Sequence, residues 1–268
     1  MYPLSYVRPD TLDQALALLA DQEDAKPLSG GMTLIPTLKQ RLAAPSHLVD
    51  LSRLDALRGI GVDGGVLRIG AATRHVEVAR SDVVAGTIPA LAALAGVIAD
   101  PQVRNRGTLG GSVANNDPAA DYPAAVLGLG AVIVTSRRRL PADDFFVGMF
   151  ETALEPGELI VAIEFPVPER AGYQKLRHRA TGYAITGVFV AQFNDAVRVA
   201  VTGAASSVFR WTEAETALAG GCQSDRLADA PIDETLFNSD ANGSAAYRAN
   251  LVRVMTRRAV DALVARPR

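Results

Sequence analysis

Cysteine occurs once in this chain, at Cys222. A single thiol excludes an internal disulfide framework, a cysteine-ligated iron–sulfur cluster and a zinc–thiolate site. Histidine occurs three times, at His47, His75 and His178, without metal-type spacing, so no metal site is expected. Neither sign of charge is in excess. The 27 basic and 29 acidic residues leave a net charge of −2, and no basic stripe for nucleic acid or an anionic membrane is present. Arg137-Arg138-Arg139 reads as solvated arginines at a hairpin tip or in a loop. Long apolar runs are missing too: "AALAGVIAD" ends too soon to span a bilayer. The N-terminal "MYPLSYVRPDTLDQ" lacks the charged start and apolar run of a signal peptide. A cytoplasmic location is expected.

Catalytic signatures are equally scarce. The G-x-S-x-G elbow and the Walker-type glycine loop do not occur. Asp143-Asp144 and the pair Glu155/Glu158 read as solvated turn residues, and His178 as an exposed strand position between Arg177 and Arg179. No acid, base or nucleophile stands out, so no catalytic residue is assigned. That points to a protein whose bound cofactor carries the reaction.

At 268 residues the chain can bury one large core or two modest ones. "RPDTLDQALALLADQ" predicts a helix capped by Asp10, with Leu12, Ala15, Leu16 and Leu19 on one face. "AKPLSGG" reads as a strand entering a turn, "MTLIPTLKQRLAA" as a helix with Pro36 in its first turn, and "SHLVDLS" as a strand. "DGG" marks a hairpin at residues 63–65. "ARSDVVAGTIPALAALAGVIAD" is helical, whereas "PQVRNRGTLGGSVANNDPAADYPAAVLGLG" is too polar and turn-rich for a simple element. "AVIVTSR" and "GELIVAIEFPVP" are strands. Beyond residue 170 come three strands, with "FNDA" as a turn, and then the helices "WTEAETALAG" and "AAYRANLVRVMTRRAVDALVARP". This order argues an α+β fold with two lobes. The expected division is 1–170, with parts at about 1–55 and 56–170, and then 171–268.

Two glycine pairs remain, Gly30-Gly31 before a helix and Gly110-Gly111 inside the polar stretch. Neither has dinucleotide-fingerprint spacing. Each alone fits a plain turn. Free amides at a helix start also suit a phosphate, and missing side chains let a ligand approach. The second pair is accompanied by Thr108, Asn115, Asn116, Asp117 and Asp121, polar groups able to bind a cofactor.

The segments "LSYVRPDTLDQALALL", "SGGMTLIP", "RNRGTLGGSVANNDPAADYPA" and "ADDFFVGMFETALEPGELIVAIEFP" occur in this order. Together they resemble the FAD-binding, or medium, subunits of molybdenum hydroxylases, as in carbon monoxide dehydrogenase and the flavin domain of xanthine dehydrogenase. The resemblance implies a two-lobed FAD-binding domain of the vanillyl-alcohol oxidase/PCMH-like type, followed by a C-terminal antiparallel sheet plus helices. It implies that Ser29, Gly30, Gly31, Met32, Thr33 and Leu34 wrap the FAD pyrophosphate. Thr108, Leu109, Gly110, Gly111 and Ser112 form a second clamp. Asn115 and Asp121 bond the cofactor's polar parts, and Ile98, Ile160 and Lys175 lie near the flavin. Tyr183 covers a flavin face or gates the acceptor. Met32, Thr33 and Ser112 depart from the family's usual His, Ser and Asn; backbone contacts survive those changes.

The implied activity is electron transfer by an oxidoreductase subunit. Molybdopterin resides on a large partner, [2Fe-2S] clusters on a small one, and an external acceptor takes the electrons. Three kinds of subunit, doubled, make a heterohexamer. The alternative is a stand-alone FAD-dependent oxidoreductase with its own substrate pocket. Carbon monoxide, purines and N-heterocycles remain open as substrates, and NAD, quinone, oxygen or a cytochrome as acceptor.

Overall fold

The computed structural model describes residues 1–265. Its first unit is a three-stranded parallel sheet. β1 (Ser5–Val7) and β2 (Lys26–Leu28) flank β3 (His47–Asp50). The helix α1 (Leu12–Asp21) joins β1 to β2, and its apolar stripe buries Ala15 and Leu19. The cap is Thr11, whose hydroxyl accepts from Gln14 N–H; Asp10, expected there, instead donates its N–H to Gln14 Oε1. The side chain of Gln14 thus holds Asp10 outside the helix. α2 (Leu34–Lys39) is short, with Pro36 in its first turn where no N–H is missed.

The second sheet is antiparallel, β4-β5-β10-β6-β7: β4 (Ile60–Asp63), β5 (Val66–Gly70), β6 (Val132–Thr135), β7 (Arg139–Pro141) and β10 (Ile160–Pro166). Gly64 and Gly65 turn β4 into β5 with φ of +54° and +80°, the left-handed pair a two-residue hairpin needs. Gly59, Gly61 and Gly64 have the spacing of a dinucleotide fingerprint. They lie on this hairpin with no helix following, so the motif is not formed. A small hairpin, β8 (Phe146–Gly148) with β9 (Glu151–Thr152), follows the short α9 (Ala142–Phe145).

Between β5 and β6 the chain makes six short helices: α3 (His75–Arg80), α4 (Asp82–Thr87), α5 (Pro89–Gly96), α6 (Pro101–Arg106), α7 (Leu109–Asn115) and α8 (Tyr122–Gly128). The turn-rich stretch 101–130 is therefore mostly helical. Its helices are cut short by Gly107, by Asn116 in a left-handed conformation and by Gly130. Polarity hid them because their caps are side chains: Asp100 accepts from Val103 N–H and Thr108 from Gly111 N–H.

The third sheet, β14-β13-β12-β11-β15, is antiparallel. It comprises β11 (Arg170–Arg177), β12 (Ala184–Gln192), β13 (Val197–Thr202), β14 (Phe209–Arg210) and β15 (Val264–Ala265). The helical layer lies between it and the second sheet. Phe189, Ala191 and Ala200 point to that layer, sharing one core with Leu67, Ile69, Leu91 and Tyr122. Val188, Val190, Val199 and Val201 point the other way, to α10 (Thr212–Leu218) and α11 (Ala245–Asp261). Gly128 lets α8 lie on this sheet, since a Cβ there would be 3.1 Å from Phe189. The expected final helix ends at Asp261, and Val264–Ala265 add to the open edge of β11 instead. Residues 266–268, expected to continue that helix and the second domain, lie outside the described residues.

The arginine triplet lies on the β6–β7 hairpin with its side chains exposed, as expected, and each of the three also has an acidic partner. Arg137 pairs with Glu155, Arg138 with Glu158, and Arg139 with Glu164. Glu158, expected in solvent, has a fully buried side chain that accepts from Arg138, Thr135 Oγ1 and Glu155 N–H. His178 follows β11 in a turn, where its Nδ1 bonds Thr181.

Candidate functional site

A cavity of about 660 Å³ opens where the three sheets' units meet, within the range of pockets that enclose a cofactor. One wall is the segment after β2, Ser29 through Leu34. The opposite wall is Thr108, Gly110, Gly111, Ser112 and Asn115. Ile98, Asp121 and Ile160 complete the interior, and Tyr183 comes from the C-terminal unit. Two expected residues do not line it. Leu109 is fully buried in the core. Lys175 lies behind the wall with a 5% exposed side chain, paired with Asp121 at 2.7 Å.

The two glycine pairs do different work. Among the described residues, the N–H groups of Gly30, Gly31, Met32 and Thr33 have no hydrogen-bond partner. Gly31 has φ of +72°, and such a run of amides around a left-handed residue forms an anion-binding concavity. The second pair keeps its amides inside the protein. Leu109 N–H donates to Thr73 O, Gly110 N–H to Ala71 O, Gly111 N–H to Thr108 Oγ1 and Ser112 N–H to Thr108 O. There glycine serves closeness: a Cβ on Gly110 would meet Ala71 Cβ at 2.5 Å.

The loops also touch each other. Ser29 Oγ and Thr108 Oγ1 are 2.9 Å apart. A Cβ on Gly30 would lie 2.2 Å from Arg106 O and 2.7 Å from Gly107 Cα. Behind Gly107 stands His75, whose N–H donates to Gly107 O and whose Nε2 would be 2.5 Å from a Cβ there. Burial and the nearby Arg104 lower the His75 imidazole to about 4, so it is neutral at working pH. Asp117, one of the polar groups that accompany the second glycine pair, lines the site; His75, Ala71, Gly107 and Glu158 line it as well and are not legible as cofactor contacts in the sequence. The small residues of "GAAT" before His75 were the available signal.

The rim near Ile98 is a tight turn, with Ala99 at φ +42°. Arg104 donates to Ile98 O and Arg177 to Ala99 O. Gly182, at φ +78°, packs against it; a Cβ there would be 2.9 Å from Ala99 Cα. The rim is thereby joined to the loop that carries Tyr183.

Glu158 anchors the cavity's lower edge. Burial pushes its carboxyl up, but bonds from Arg138, Glu155 N–H and Thr135 prevail and hold it at about 2. Glu158→Gln is expected to cost about 1–3 kcal/mol at neutral pH. The native pKa lies below the ordinary 4.5, so this contribution is complete above 4.5 and is lost as pH falls toward 2. Thermal unfolding of the two proteins should converge across that window; a constant gap would refute the assignment.

Unpartnered amides on the lining of a cavity, with glycines where two backbones close on each other, are features suited to a phosphate-bearing cofactor. The chain belongs to the family of FAD-binding subunits of molybdopterin dehydrogenases. The sequence model for the FAD binding domain in molybdopterin dehydrogenase matches residues 2–168. That for the CO dehydrogenase flavoprotein C-terminal domain matches 171–263. The chain is 35% identical to the nicotine 6-hydroxylase medium subunit of Paenarthrobacter nicotinovorans, over 96% of each. It is 35% identical to the glyceraldehyde dehydrogenase medium chain of Sulfolobus acidocaldarius, over 97% of this chain and 98% of that one. A chain of the reconstituted CO dehydrogenase from Oligotropha carboxidovorans superposes with a TM-score of 0.90 at 38% identity, covering 97% of this chain and 98% of that chain. The α+β, two-lobed architecture and the FAD cofactor expected from the sequence are therefore established. Among the described residues, no helix is long and apolar enough to cross a membrane, and no cluster of metal-ligating side chains occurs.

Proposed function

We propose that this chain holds FAD in the cavity between its two glycine loops and serves as the electron-transfer subunit of a cytoplasmic molybdenum hydroxylase. The observation that carries the reading is the run of four free amides, Gly30 to Thr33, on residues that line a cofactor-sized cavity. These amides bind the pyrophosphate. Ser29, Leu34, Thr108, Gly110, Gly111, Ser112 and Asn115 enclose it. Asp121 accepts a hydrogen bond, and Ile98 and Ile160 pack on the flavin, with Tyr183 at its exposed face. Lys175 acts through Asp121 rather than by contact. Leu109 anchors the second loop from the core.

Bound FAD supplies the electron exchange between clusters on a small partner and an external acceptor. A large partner carries the molybdopterin and sets the substrate. Relatives equally similar to this chain belong to enzymes named for nicotine and for glyceraldehyde, which supports placing substrate choice elsewhere. The single cysteine supports a reducing compartment and leaves the clusters to the partner. The working units are 1–170, with parts at about 1–55 and 56–170, and 171–268, assembled with both partners into a heterohexamer.

Purification from the native source tests this. One FAD per chain, together with a cysteine-rich small subunit and a large molybdenum subunit, is the expected result. Correctly folded chain lacking flavin would overturn it, and FAD-loaded chain turning over a substrate alone would favour the stand-alone oxidoreductase.

A further inference from the structure

Asp121 immediately precedes α8 and lines the cavity. Its Oδ1 takes two donors, Lys175 Nζ at 2.7 Å and Tyr173 OH at 2.5 Å. Both donors stand on β11 two residues apart, hence on one face of the strand. Lys175 Nζ also donates to Gly182 O at 2.9 Å, tying the pair to the loop of Tyr183. Oδ2 has no partner among the described residues and is the atom left for the cavity.

The fold makes room for the tyrosine hydroxyl in particular. On β12, Gly187 lies opposite Lys175. A Cβ on Gly187 would sit 2.6 Å from Tyr173 OH. Phe189, opposite Tyr173, backs the ring with centroids 6.2 Å apart. A phenylalanine at 173 would fill the same volume, so the glycine notch and the hydroxyl serve the contact with Asp121.

We propose that Tyr173 is a positioning residue of the FAD site, locking Asp121 Oδ1 together with Lys175 so that Oδ2 is held ready to accept a hydrogen bond from the cofactor. The inference rests on the reading of this cavity as the FAD site. A carboxylate with one oxygen fixed by two donors cannot rotate, and the acceptor is set before the ligand arrives. Oδ2 accepts best from the ionised carboxylate: with Oδ1 taken by two donors, a proton on the carboxyl would sit on Oδ2 and turn it into a donor. Burial pushes the Asp121 carboxyl up, and Lys175, Tyr173 and Arg177 on β11 pull it down. The other titratable groups nearby are the Tyr122 and Tyr183 phenols and Asp117, which also lines the cavity. The Tyr173 phenol itself is raised well above 10 by burial and Asp121, so it remains a donor throughout the working range.

The test is FAD titration of the full-length apoprotein by fluorescence across the acid-to-neutral range, with thermal unfolding recorded alongside. Tyr173→Phe is expected to fold and to bind FAD about tenfold more weakly at neutral pH. The pH at which affinity is lost on acidification should lie higher than in wild type, because one donor to the ionised form is gone. Gly187→Ala keeps the phenol but displaces it, and should shift the same limb in the same direction. A folded Tyr173→Phe or Gly187→Ala with the wild-type acid limb would overturn this inference alone. A wild-type chain that binds no FAD would overturn the cavity reading and this inference with it.

Discussion

Gly30→Ala is expected to lower FAD affinity by at least about 100-fold while the chain stays folded. The added methyl would stand 2.2 Å from Arg106 O, 2.7 Å from Gly107 Cα and 2.8 Å from Arg106 C. All three are backbone atoms. They cannot yield, because Gly107 N–H is bonded to Val103 O, Gly107 O accepts from His75 N–H, and the His75 ring fills the space behind. The first loop must retreat, breaking the Ser29–Thr108 contact and turning its four amides off target. Losing two or three amide bonds to a charged group accounts for about 3 kcal/mol or more.

Gly31→Ala should be milder, about tenfold, although Gly31 is the residue with positive φ. Its methyl would meet only Ile35 Cγ1 at 3.0 Å and Leu28 Cδ1 at 3.2 Å, the ends of flexible side chains. The remaining cost is the left-handed backbone, about 1 kcal/mol. Equilibrium dialysis of FAD with both variants checks the order. If Gly31→Ala lost more than Gly30→Ala, the contact between loops would not be what shapes the site.

Lys175→Met should destabilise the protein by about 3–5 kcal/mol at neutral pH, through an unpaired buried carboxylate at Asp121. The sign of the pH dependence is distinctive. Burial already holds the Asp121 carboxyl above its ordinary 3.8 against the pull of Lys175. Removing the ammonium raises it further. The native state then keeps a proton that the unfolded chain releases, so stability falls as pH rises from about 3.8 through the native value. Urea unfolding should show the full deficit at neutral pH and a much smaller one near pH 4. Equal deficits at both would mean that packing, not charge, is lost.

Local pattern placed most elements. The segment "YAITGVFVAQFN" reads as a strand, and the structure explains why both its faces are apolar: β12 is covered by the helical layer on one side and by α11 on the other. The "DGG" turn and the Pro36 position were legible because each depends on the backbone of a few neighbouring residues. The stretch 101–130 was not. Its helices are six or seven residues long, too short for a periodic signal to outweigh polar caps.

The site divides in the same way. The sequence by itself determined that this chain cannot hold clusters or a thiolate metal, that its chemistry belongs to a cofactor, and which two glycine pairs and which family to consider. Those conclusions follow from residue types and their order. Only the tertiary structure decided that the first pair offers free amides while the second has its amides bonded within the protein, that Glu158 is buried, and that Lys175 stands behind Asp121 with Tyr173 beside it. These depend on groups 20 to 80 residues apart meeting across sheets. Local spacing carries no information about which amide has found a partner, or which charge has been taken out of water.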